Sequence, residues 1–126
     1  MTADADLRLI RAADRTTGTQ QTSGMTREVA IATDGLWAAF VRTEPRMASG
    51  WHHHAAYRTA IFVLKGRLRF EFGPGGSRSV EAGPGDFISV PPGAIHRESN
   101  PGDEEGEIVV VRAGTGAPNV NVDGPA

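Results

Sequence analysis

The sequence predicts an all-β protein made of short antiparallel strands, and three observations predict it. Glycine (16) and proline (8) punctuate a chain of 126 residues at fairly regular spacing, as they do where strands are joined by tight turns. Arg67-Leu68-Arg69-Phe70-Glu71-Phe72 alternates polar and apolar residues without a fault, the period of two that a half-buried strand requires. No segment sustains the apolar period of a long helix.

Taken in order, Leu7-Arg8-Leu9-Ile10 alternates weakly and is expected to form an edge strand, in this subunit or on a neighbour. Residues 16–26 are polar and read as an irregular connection. Residues 28–33 and 36–43 are strand-like around Asp34-Gly35, a dipeptide suited to the positive backbone angles of a two-residue hairpin turn. Residues 60–65 are apolar on both faces, so one face is expected to meet the core and the other a second sheet or subunit. Gly66 turns the chain into the alternating strand, whose Leu68, Phe70 and Phe72 should point inward. A turn at residues 73–76 leads to a short polar strand over 77–81, and a second turn at 82–86 leads to a strand over 87–90. Asp86 is expected to brace that second turn. Pro91-Pro92-Gly93 sets a corner before the strand that carries His96. Residues 100–106 form a solvated loop, residues 108–111 a last apolar strand, and Val120 and Val122 stand at strand spacing in the tail. The sum is about nine short strands, a sandwich or barrel. Trp37, Phe62, Phe70, Phe72 and Phe87 are its expected aromatic core. The boundaries implied are an N-terminal arm over 1–27, a β-barrel over 28–112 and a C-terminal tail over 113–126.

Composition narrows the partners. A formal net charge of −2, with arginines interleaved among carboxylates, argues against nucleic acid as the main partner. No cysteine is present, so a metal would be held by nitrogen and oxygen. Neither a secretory leader nor an apolar run of membrane-spanning length is seen, and a soluble, cytoplasmic protein with no membrane partner is expected.

Chemistry concentrates at Trp51-His52-His53-His54, which holds three of the four histidines; the fourth is His96. In an extended chain His52 and His54 share one face and His53 points away. Such a pair can offer two imidazoles to one ion if its face is the interior, with His96 brought in from elsewhere. The bland alternative for His96 alone is a buried, hydrogen-bonded histidine. Arg58, Arg67, Arg69 and Arg97 read as outer-face residues, with Arg58 the one placed to meet an anion.

At this point two segments resemble the paired motifs of the cupins. Gly85, Pro91, Gly93, His96 and Asn100 follow the pattern Gly, five residues, Pro-x-Gly, two residues, His, three residues, Asn at each fixed position. The earlier segment keeps His52-x-His54 and the closing Gly66, though its opening Gly50 stands close to the histidines. The resemblance runs over about residues 36–112 and implies a small antiparallel jelly-roll barrel that commonly forms a homodimer. It also implies that His52, His54 and His96 are metal ligands for a divalent transition metal (Fe, Mn, Ni, Cu or Zn). The family's acid ligand would fall at Thr59, or at Arg58 by the shorter spacing, and neither is a carboxylate. Three neutral imidazoles would leave the ion its full charge and open positions, a state suited to a chelating, anionic small-molecule substrate or to dioxygen. Glu98, two residues after His96, and Tyr57 are the expected catalytic groups, with an inward Tyr57 or Glu98 also able to complete the metal shell. The activity expected is a metal-dependent oxidoreductase of the dioxygenase type, against a non-redox cyclase or isomerase and a non-catalytic ligand-binding module. A metal-free epimerase is disfavoured because it would leave the second imidazole of the pair without a use.

Overall fold

The computed structural model describes residues 6–17, 21–115 and 119–125. Among these the chain forms strands β1 (Thr16–Thr17), β2 (Met25–Thr33), β3 (Leu36–Thr43), β4 (His52–His53), β5 (Arg58–Lys65), β6 (Leu68–Phe72), β7 (Arg78–Ala82), β8 (Phe87–Val90), β9 (His96–Ser99), β10 (Gly106–Ala113) and β11 (Val120–Asn121). Among the described residues helix is confined to single 3-10 turns, at Ala12–Asp14 and Pro74–Gly76. The expected all-β jelly roll is what the chain adopts, as two antiparallel sheets facing one another and not as one continuously hydrogen-bonded cylinder. One sheet runs β1-β2-β3-β10-β5-β8 and the other β11-β4-β9-β6-β7.

The hairpin about Asp34-Gly35 forms as its turn residues require: Gly35 has φ of 79° and Thr33 pairs with Leu36. β10 then inserts between β3 and β5, and its register builds the inner face of the larger sheet in rows. Ile108 stands between Val41 and Val63, and Val110 between Ala39 and Ile61, all six buried. The next row, Trp37-Arg112-Thr59, brings in two buried polar residues, Arg112 and Thr59, beside the Trp37 ring. Hydrocarbon therefore fills one end of the space between the sheets, and polar groups begin where it stops.

Opposite these rows β6 delivers Leu68 and Phe70, both fully buried, while Phe72 is half-buried against the same core. Leu68→Ala is expected to destabilise the protein by about 2–5 kcal/mol, because the removed methyls leave a cavity that a two-sheet core closes poorly. A chemical-denaturation midpoint unchanged from the parent would contradict that.

Several expectations need correction. Leu7-Arg8-Leu9-Ile10 joins no sheet; Leu7 and Leu9 stand in solvent. Within 16–26, read as irregular, Thr16 and Thr17 pair with Val29 and Glu28, and β2 begins at Met25. Phe87 is not core but 73 % exposed. Its neighbours Ile88 and Val90 take the inward positions on β8, so strand parity turns Phe87 outward, against Phe62 with ring centroids 4.7 Å apart. Phe62, expected in the core, thus lies half-buried on the second face of β5. Asp86 does brace its turn, accepting the Gly83 N–H at 2.9 Å.

Candidate metal centre

His52 is placed by the smaller sheet, where it pairs in register with His96 on β9. The strand ends after His53, and Ala55, with φ of 51°, turns the chain so that His54 is aimed by a turn and not by a ladder. That turn is tied at both ends. The Tyr57 N–H donates to the His54 carbonyl at 3.0 Å, and the Gly93 N–H, from the proline corner, donates to the Ala55 carbonyl at 2.8 Å. The corner that precedes His96 therefore also fixes the turn that follows His54.

Glu98 is held as firmly. Ser49 bonds its backbone twice, the Ser49 N–H donating to the Glu98 carbonyl at 2.8 Å and the Glu98 N–H donating to Ser49 Oγ at 2.9 Å. On β9 it lies two residues from His96 and so on the same face. His52, His54, His96 and Glu98 are each at most 4 % exposed. Their donor atoms all lie within 4.8 Å of one another. An ion about 2.1 Å from each ligand has ligands at most roughly 4.2 Å apart, so the cluster is already near ligating size.

The hydrogen bonds say which atoms face inward. Nδ1 of His52 lies 2.9 Å from the Gly50 carbonyl, and Nδ1 of His96 lies 2.9 Å from the Ala94 carbonyl. A carbonyl oxygen only accepts, so both Nδ1 atoms carry the proton and each neutral ring keeps its lone pair on Nε2. Both Nε2 atoms are buried without a hydrogen-bond partner, yet each stands 3.4 Å from the same carboxylate atom, Glu98 Oε1. Two imidazole lone pairs and a carboxylate oxygen converging in a dry space repel one another unless a cation sits among them. Backbone carbonyls that orient the far ring nitrogen are the usual second layer of a metal site, so this donor set fits a divalent first-row ion.

Burial alone would push the Glu98 carboxyl up, but hydrogen bonds from the two facing ring nitrogens, where these carry a proton in place of an ion, outweigh burial and hold it well below the usual carboxylate range. The group is an anion at neutral pH. The structure thus brings together all three sequence-chosen histidines and adds Glu98 to them, so that a bound ion would see three neutral ligands and one negative one. His53 turns away, its Nδ1 accepting the Ala55 N–H at 3.0 Å. Tyr57, half-buried, lies on the turn beyond His54 with its ring side against Gly114. Arg58, Arg67 and Arg69 are exposed, and Arg97 pairs with Glu71 and covers the Trp51 ring at 4.6 Å.

Two residues went unnoticed in the sequence. Arg112 is buried beside Thr59, and Arg27, half-buried, enters from β2. Strand parity was the available signal: Ile108 and Val110 point inward, so Arg112 must as well.

Comparison with known proteins bears on the fold. A family model for the cupin domain matches residues 39–112. No curated protein matches the chain. Among solved structures, the polyketide cyclase RemF of Streptomyces resistomycificus superposes with a TM-score of 0.77 at 21 % identity, covering 93 % of this chain and 86 % of that one. A double-stranded beta-helix domain protein of Klebsiella pneumoniae subsp. pneumoniae gives 0.73 at 19 % identity, covering 93 % and 98 %. Oxalate decarboxylase of Bacillus subtilis gives 0.69 at 21 % identity, with 81 % of this chain matching 28 % of that longer one. Identities this low carry the fold alone. With a family model spanning well over half of its length and a jelly roll that superposes on those proteins, this chain belongs to the cupin domain family.

Proposed function

We propose that the protein is a metal-dependent oxidoreductase of the dioxygenase type, acting on a small organic molecule whose oxygens chelate the ion. The observation that carries this reading is the pair of orphaned Nε2 lone pairs aimed at one Glu98 oxygen. His52, His54, His96 and Glu98 would hold the ion, which would supply Lewis acidity toward substrate and a binding site for dioxygen. The residues around it do the rest. The carbonyls of Gly50 and Ala94 keep His52 and His96 in the tautomer that presents Nε2, and Ser49 keeps Glu98 in reach. Burial keeps water from the bound substrate, and Tyr57 is the group to which we assign the passing of a proton.

Protein grown in supplemented medium is expected to carry close to one divalent first-row ion per chain by mass spectrometry, and to consume dioxygen with β-diketones, flavonol-like enols, thiols or small carboxylates in an oxygen electrode. Protein without metal would end the reading. The likeness to a polyketide cyclase favours one other reading, a cyclase or isomerase using the ion as a Lewis acid alone; turnover of a substrate under nitrogen at the aerobic rate would establish it in place of the first.

Exposed Phe87, stacked on half-buried Phe62 with exposed Leu64 beside them on the outer face of β5 and β8, supports a homodimer closed over that patch. Phe87→Glu is expected to halve the mass seen in sedimentation. A wild-type protein that already sediments as a monomer would exclude the dimer.

A further inference from the structure

The row Trp37-Arg112-Thr59 continues the inner face on which the rows above it are hydrocarbon. Arg112 is only 5 % exposed, and none of the ion pairs among the described residues includes it or Arg27. Its Nε is buried without a hydrogen-bond partner, and so is the hydroxyl of Thr59, its register neighbour on β5. The Trp37 ring lies 4.5 Å from the guanidinium carbon and covers one face, leaving the edge that carries the N–H donors. An unpaired buried charge is costly, and proteins retain one where something arrives to neutralise it.

The charges nearby do not do so. Burial pulls the Arg112 guanidinium down to about 10, Arg27 pushes it the same way, and Glu98 and Tyr57 only partly offset them. Arg27 is lowered by burial too, with Glu98 again the opposing charge. One carboxylate, committed to two imidazoles, thus faces two guanidiniums. A carboxylate at position 59 would pair with Arg112 from within the chain; threonine there leaves the guanidinium free and adds a donor beside it.

We infer that the interior binds a small carboxylate-bearing anion, its carboxylate taken by the Arg112 guanidinium and the Thr59 hydroxyl while its other end faces the His52, His54, His96 and Glu98 cluster. Arg27 adds positive charge to the same space. This names the substrate class of the proposed metal site and rests on that reading only for the far end of the ligand, since the carboxylate contacts need no ion.

The test is calorimetric titration of malonate into chelator-stripped protein and into protein loaded with Co(II). Malonate is expected to bind both, and uncharged malonamide neither. Arg112→Gln should weaken malonate about 10–100-fold in both forms while Co(II) still binds at one per chain, and Thr59→Val should weaken it several-fold. Ligand-free Arg112→Gln should also melt no lower than the parent, since it sheds an unpaired buried cation; a purely structural arginine would give a lower melting temperature instead. Malonate binding within twofold of the parent in both variants would overturn the inference, as would malonamide or inorganic phosphate binding as tightly as malonate. Failure of Co(II) to bind the parent would remove the metal reading alone, because the stripped-protein titration judges the anion site independently.

Discussion

His96→Ala is expected to leave the purified protein without metal, whereas His53→Ala, one residue from two of the ligands, keeps a full complement. His96 Nε2 is one of the lone pairs aimed at Glu98 Oε1, and its other nitrogen is fixed by the Ala94 carbonyl. Loss of a residue that merely orients a ligand weakens metal binding about 10–100-fold, and loss of a ligand should exceed that. The variant also vacates space beside the Phe70 ring, 5.8 Å from the imidazole, and strips the Ala94 carbonyl of its donor. Its metal-free form should therefore be less stable by about 1–3 kcal/mol. The His53 ring accepts the Ala55 N–H and turns out of the cluster. Its replacement should cost about 1 kcal/mol with no change in metal. Metal analysis of the two variants, side by side with their melting curves, checks both statements. Metal retained by His96→Ala at parental stoichiometry would show that the lone pairs converge on something other than an ion.

The fold was legible in the sequence wherever a strand has one wet and one dry face. β6 reads directly, and the Asp34-Gly35 hairpin is fixed by backbone chemistry local to four residues. Legibility fails where both faces are apolar. In Phe87-Ile88-Ser89-Val90 either parity buries hydrophobic residues, and the structure takes the one that exposes Phe87. It fails again for pairings that join distant segments: nothing local to Val120 and Asn121 says that they will line up with His53 and His52. The site divides the same way. His52, His54 and His96 carry a spacing that is readable on sight, and Glu98 shares a face with His96 by simple alternation. Arg112 was hidden because the charge at the end of an apolar run resembles a strand leaving the core. Only the register with Trp37 and Thr59 reveals that the strand is still inside.

Glu98→Gln separates the two duties that a carboxylate can have here. The amide keeps the size and the Ser49 clamp, which holds backbone atoms, but it removes the negative charge and offers a weaker oxygen ligand. If Glu98 completes the shell, metal affinity should fall by about 100-fold, and activity should return at high metal concentration only in proportion to occupancy. If it served solely as a base, the variant would stay fully metallated and inert. The expected result is the first, because Oε1 faces both orphaned nitrogens. The metal-free protein provides an independent check through pH. The folded-state carboxyl is held below its ordinary value of 4.5 by His52 and His96 against the opposing effect of burial, so the unfolded chain takes up a proton first as the solution is acidified. The stability this group contributes is complete above about pH 4.5 and is lost as pH falls below it toward the folded-state value. Glu98→Gln should be less stable than the parent at neutral pH, and the gap should narrow on acidification below pH 4.5. A gap that widens there would mean that the carboxyl is protonated in the folded protein, and a protonated carboxyl is a poor ligand.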